Sequence, residues 1–155
     1  MPNLTRTSAL LILTLGFVLA PGCDVKTSDR DLQTINCHDA IELASRRSGG
    51  PFGGSSTVIW VDPRSPEEFR AAAIPGAINL PFGEAFEQDA RVKLRGVDMI
   101  IVYGTSVQDV LGTAASKRLI ELGYGDVYTL KGGIRQWMKD GNAVEGDDPD
   151  SVMTN

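Results

Sequence analysis

Two cysteines, Cys23 and Cys37, and a single histidine, His38, are the side chains of this 155-residue chain best suited to nucleophilic or acid–base work. Cys37 and His38 are adjacent, which invites a thiolate with its base. Such a pair works only where the ring nitrogen reaches the sulfur, and consecutive residues on a helix point about 100° apart without facing each other. A thiol in the first turn of a helix gains some acidity from the helix dipole. Packing is therefore the main reading of Cys37, with a redox or sulfur-carrying role as the alternative.

The stretch that should carry a site lies elsewhere. Met99 to Tyr103 is a continuous apolar, β-rich run between Asp98 and Gly104, the pattern of a strand buried on both faces of a parallel sheet. Ligands of open α/β sheets gather where such strands end and turn toward the next helix. Here that turn reads Gly-Thr-Ser-Val-Gln-Asp-Val-Leu-Gly-Thr from Gly104 to Thr113, with no Cys, His, Lys or Arg. Thr105 or Ser106 would need a nearby base to become a nucleophile.

The elements that must position this turn follow from pattern. Leu32 to Ile35 is a short extended lead-in, and Asn36 and Asp39 open an amphipathic helix ending near Arg47. Ser48 to Ser56 is a glycine-rich connector; it lacks the Lys of a phosphate loop. Thr57 to Val61 is a second buried strand. Ser65 caps a short helix with Pro66 in its first turn and Glu67 and Glu68 near its positive end. Thr113 to Leu122 is a helix stopped by Gly123, Val127 to Leu130 the last strand, and Ile134 to Lys139 the last helix.

Composition sets outer bounds. A chain that is 42% hydrophobic can build one core without disulfide staples. The formal charge is −5 with no clustered basic run, so nothing points to nucleic acid. Glu145 to Asp150 holds four acids and no base, which reads, with the residues to 155, as a solvated, disordered tail. No metal or cofactor is called for by any cluster of residues.

Residues 1–22 have a short polar start with Arg6, then an apolar run from Ala9 to Ala20. That run is too short to span a bilayer comfortably and fits a secretory signal. Its end, Ala20-Pro21-Gly22-Cys23, resembles a bacterial lipobox, in which the Cys becomes the lipidated first residue. The resemblance implies a lipid anchor at Cys23, residues 23–31 as a tether, and a location in the bacterial cell envelope, on the periplasmic side of a membrane. Plain secretion, an uncleaved anchor and a Cys23–Cys37 disulfide are the alternatives.

Two motifs point to a family. The run Val61-Asp-Pro-Arg-Ser-Pro-Glu-Glu-Phe69, followed by Ile74-Pro-Gly-Ala-Ile-Asn-Leu-Pro81, resembles the first signature of rhodanese-like domains. Tyr128-Thr-Leu-Lys-Gly-Gly-Ile-Arg-Gln-Trp137 resembles the second. The resemblance covers residues 32–144 and implies a five-stranded parallel sheet with helices on both faces, in agreement with the alternation of elements above. It implies that Asp62 and Arg64 pin the first signature loop. Gly132 and Gly133 are read as tight backbone geometry, and Trp137 as core.

Active members of that family place a Cys directly after the central strand, where this chain has Gly104, and commonly an Arg in the loop. Here the loop instead carries Asp109, whose charge opposes anionic substrates. The expectation is a domain that has lost sulfur transfer and acts as a binding or regulatory module for a protein partner. Its surface would be Thr105, Ser106, Val107, Gln108, Asp109 and Val110. Val107, Val110 and Leu111 are either apolar contacts for that partner or residues folded inward over the sheet. The alternative is a thiosulfate or persulfide sulfurtransferase using Cys37 or a partner's thiol.

Overall fold

The computed structural model describes residues 27–48 and 56–154. The expected signal, Cys23 and all but the ends of the glycine-rich connector lie outside the described residues. The chain forms β1 (Gln33–Ile35), α1 (Cys37–Ser48), β2 (Val58–Asp62), α2 (Pro66–Ala71), β3 (Ile78–Asn79) and α3 (Phe86–Lys93). It continues with β4 (Met99–Val102), α4 (Leu111–Glu121), β5 (Val127–Leu130), α5 (Gly133–Lys139) and α6 (Ser151–Thr154). The five strands make one sheet in the order β1-β5-β4-β2-β3, and every pairing is parallel.

Alternation along the central strand builds two cores. Met99 and Ile101, with Tyr103 beyond them, face a layer formed by Cys37 and Ala40 of α1 and Ile134 and Trp137 of α5. Ile100 and Val102 face Phe86 and Ala90 of α3 and Ala115 and Leu119 of α4. All four residues of β4 are buried, and each such side chain contributes about 1.5–3 kcal/mol of burial. The α/β sheet with helices on both faces is thus the expected architecture, with the strand ends collected at one edge of the molecule.

Local chemistry fixes the helix starts. Asn36 Oδ1 accepts from the Asp39 backbone N–H at 2.9 Å at the head of α1. At α2, Ser65 Oγ accepts from Glu68 N while Glu68 Oε2 accepts from Ser65 N, a reciprocal capping box. The sequence reading missed α3, although acids in its first turn and Arg91 and Lys93 in its last turn suit a helix. Its apolar side chains are few, and only Phe86 and Ala90 are buried.

Two segments differ from expectation. The acidic stretch expected as a disordered tail is docked: Ala73 and Glu145 exchange backbone hydrogen bonds at 2.7 and 2.9 Å, and Asp147 and Asp148 donate to the last carbonyls of α2, at Arg70 and Ala71. Val152 of α6 is buried. The four acids stay in solvent, so their charge does not oppose docking by the backbone and one apolar anchor. The end of the expected tether is also ordered. Ser28 caps a single turn at Asp29–Asp31, Asp29 pairs with Lys117 at 2.5 Å, and Thr27 N donates to Glu121 Oε1.

Candidate functional site

β4 delivers Tyr103 and Gly104 to the edge of the sheet, both buried. The Tyr103 hydroxyl accepts from Ile74 N at 3.2 Å, and the Arg64 guanidinium lies 5.7 Å from the centre of its ring. Burial holds the phenol well above its usual range, so it is a neutral support.

The chain after Gly104 is held from two sides. From α5, the N–H of Ile134 donates to Gly104 O at 2.9 Å and that of Arg135 to Thr105 O at 3.0 Å. This approach needs Gly132 and Gly133, both left-handed at φ +84° and +60°. A side chain at Gly133 would collide with the Gly104 carbonyl. Just before α4, Asp109 turns back on its own loop: Oδ2 accepts from Thr105 N at 2.6 Å, and Oδ1 from Leu111 N at 2.8 Å. Gly112, now within α4 rather than before it, lets the helix lie against the Gly104 backbone.

The remaining loop residues face outward. Val107 is 69% exposed and Val110 72% exposed, whereas Leu111 is half-buried. The two valines therefore do not fold inward over the sheet. Ser106 Oγ reaches Gln108 Oε1 at 3.2 Å. No described hydrogen bond brings a titratable base to the hydroxyl of Thr105 or Ser106; the Asp109 carboxylate takes the Thr105 backbone N–H instead.

The loop's missing cations come from the β5–α5 turn and from α5. Lys131, Arg135 and Lys139 lie beside Val107 in the recesses flanking it. The loop itself contains no base, but its surroundings are basic. The sequence hides this because the second signature lies some 25 residues further along the chain; only the parallel β4–β5 pairing brings the two segments together.

Cys37 and His38 do not form a catalytic pair. Cys37 is buried to 2% exposure, and burial, reinforced by Asp140, pushes its thiol up to about 12, against the acidification expected from the helix start. His38 projects into solvent, 3.4 Å from Asp39. His38, Asp39 and Glu42 place ligand atoms within 4.8 Å on an exposed face of α1.

Asp62 and Arg64 are both buried and joined in a fork, Nη2 to Oδ2 at 2.6 Å and Nε to Oδ1 at 3.0 Å. Arg64 Nη2 also donates to Ala72 O at 2.6 Å, tying the end of β2 to the end of α2. Trp137 packs edge-on to Trp60 at 5.2 Å and donates from Nε1 to Ala143 O at 2.7 Å.

A family model described as the rhodanese-like domain matches residues 50–140. The chain belongs to the rhodanese-like domain family. This rhodanese-like chain is similar to a solved Bacillus halodurans protein, with 27% identity, TM-score 0.60, and 74% of this chain and 77% of that one covered. A solved Anabaena protein is similar at 28% identity and TM-score 0.56, covering 78% and 98%. The thiosulfate sulfurtransferase of Pseudomonas aeruginosa shares the fold at 20% identity and TM-score 0.60, over 76% of this chain and 21% of that one. Among curated proteins, the adenylyltransferase and sulfurtransferase UBA4 of Meyerozyma guilliermondii is 25% identical over 92 residues, 54% of this chain. The rhodanese-like chain spans about a fifth of that relative's length, 20%. Sulfurtransferases are thus among its relatives.

Proposed function

We propose that this rhodanese-like domain is non-catalytic and acts as a binding or regulatory module, presenting the loop Thr105 to Val110 to a protein partner. Gly104 stands in the place of the family's cysteine and carries no side chain. The observation that supports the reading most strongly is the position of Asp109. A Cβ built on Gly104 would lie 2.5 Å from Asp109 Oδ2, and that oxygen already takes the Thr105 N–H. A cradle for an anionic sulfur needs such N–H groups free. Here a carboxylate occupies it, and restoring the thiol alone would not restore the site.

The second reading, a sulfurtransferase using Cys37 or a partner's thiol, draws on the sulfurtransferase relatives and on one placement. Cys37 and Val107 line the same recess of about 360 Å³. Against it stands the chemistry of the thiol, since a group raised to about 12 is almost wholly protonated near neutrality.

Transfer of sulfur from thiosulfate to cyanide tests both readings, measured on the chain and on Cys37→Ser, Gly104→Cys and Gly104→Cys with Asp109→Gly. No turnover in the parent and in Gly104→Cys, with a gain in the double variant, is the expected pattern. Turnover in the parent that vanishes in Cys37→Ser would establish the second reading instead.

The module is further proposed to be a lipoprotein, anchored through Cys23 to a membrane on its periplasmic side, with no nucleic-acid partner and no cofactor. Support comes only from the signal-like residues 1–22 and the lipobox-like ending. Palmitate labelling that persists in Cys23→Ser would remove the anchor.

A further inference from the structure

The cations of this acidic protein are unevenly used. Arg46, Arg70, Lys93, Lys117 and Arg118 each sit against a carboxylate. Arg30, Arg91, Arg95, Lys131, Arg135 and Lys139 form no ion pair among the described residues, and the last three stand around one exposed apolar side chain, Val107. On one flank Val107 shares a groove of about 170 Å³ with Arg135, Gln136 and Lys139. On the other it shares the Cys37 recess with Lys131, Gln136 and Asp140. Asp140, the acid on that second flank, has Oδ1 held by Gln136 Nε2 at 2.7 Å; its charge remains, and the three cations outnumber it and Asp109. Asp109 is likewise satisfied by two backbone N–H groups. Arg135 spends one N–H on Val152 O and keeps the rest of its five.

We infer that this double groove takes an extended acidic segment of a partner protein, with carboxylates against Lys131, Arg135 and Lys139 and an apolar side chain against Val107. The inference rests on the binding reading above and adds the chemistry of the partner. A free anion would satisfy the cations and leave two exposed valines unexplained. A bilayer would meet a loop with no aromatic anchor, at the end of α4 away from Glu121, where the chain enters the domain. Concave grooves on both sides of a central apolar residue suit a chain lying across them.

The test is fluorescence anisotropy on the full-length chain with a labelled Glu-Asp-Leu-Asp-Glu peptide, its Gln-Asn-Leu-Asn-Gln counterpart, and vesicles of anionic phosphatidylglycerol. The acidic peptide is expected to bind, weaken at higher salt, and lose about tenfold in affinity in Lys131→Glu with Lys139→Glu and in Val107→Ser; the amide peptide is expected not to bind. Arg91→Glu, an exposed cation elsewhere, is the control. Equal loss in that control, binding of the amide peptide to the same extent, or binding of the vesicles in place of the peptide overturns the inference. A photocrosslinker attached through Gln108→Cys in intact cells separates this from the broader reading. A cross-linked protein that persists in the charge-reversed variant overturns the acidic partner and keeps the loop as a surface. Absence of both cross-link and peptide binding overturns both.

Discussion

Asp109 and Gly104 are complementary: the carboxylate of one lies where the side chain of the other would begin, with Oδ2 2.5 Å from an ideal Cβ. Each residue permits the other. Gly104→Ala is expected to destabilise the domain by about 1–3 kcal/mol, the usual cost of overpacking. Asp109→Gly alone should cost about 1–3 kcal/mol, because the part-buried Thr105 and Leu111 N–H groups lose their acceptor. Combined, the two should cost less than their sum, since contacting positions couple. Urea denaturation of the four proteins measures the cycle, and strict additivity would mean that the loop relaxes without Asp109.

The Asp62–Arg64 fork is expected to behave as a buried ion pair. Removing one partner by Arg64→Met leaves Asp62 uncompensated at 0% exposure, at a cost of about 3–5 kcal/mol. Replacing both by apolar residues of similar size should recover much of that loss. Thermal and chemical unfolding of the single and paired variants gives the answer; equal stability of Arg64→Met and wild type would show that solvent reaches the pair.

Cys37 should resist alkylation. With its thiol raised by burial to about 12, iodoacetamide at pH 8 is expected to modify the native protein far more slowly than the unfolded one. Stability carries the same sign. Between about 9 and 12 the unfolded thiol has lost its proton and the native one retains it, so folding loses stability as pH rises through that window. Cys37→Ala should make the decline shallower. The phenol of Tyr103, also raised, adds a loss that begins higher and remains in that variant.

The C-terminal segment is expected to contribute to the fold. Gly146 has φ +144°, and a side chain there would strike the Ala71 carbonyl. Gly146→Ala should therefore loosen residues 145–154 and speed their removal by limited proteolysis, and Val152→Ala should cost about 1–2 kcal/mol of lost apolar burial. Unchanged protection in both would place the segment outside the cooperative unit.

The sequence made the sheet and its buried central strand legible because Val58 to Val61, Met99 to Val102 and Val127 to Leu130 are local signals, each an apolar run with a clear stop. The site was legible in part. Gly104 and the two glycines of the α5 turn follow from position relative to those runs, whereas the outward orientation of Val107 and Val110 was left open by them. The role of Asp109 was not, because its charge suggests repulsion of a ligand, whereas its two backbone hydrogen bonds depend on a loop conformation that pattern does not encode. Lys131, Arg135 and Lys139 escaped for a topological reason, since strand pairing alone sets them beside Val107. The docked segment escaped because acids outnumber its one apolar anchor, Val152, and its backbone hydrogen bonds to α2 leave no trace in composition.

Under the proposed lipidation of Cys23, the ordered turn at Ser28 to Asp31 would set the length of leash available to the lipid. Residues 24–27 separate Cys23 from Ser28, a span of at most about 18 Å when fully stretched. The leash enters beside Glu121 and Lys117, while Val110 lies at the opposite end of α4, an 11-residue helix about 16 Å long. A domain tied so closely would stay within about 18 Å of the membrane surface. Its loop would be carried like a fixture on a short post, directed outward from the membrane, and a partner would have to come to it from the aqueous side.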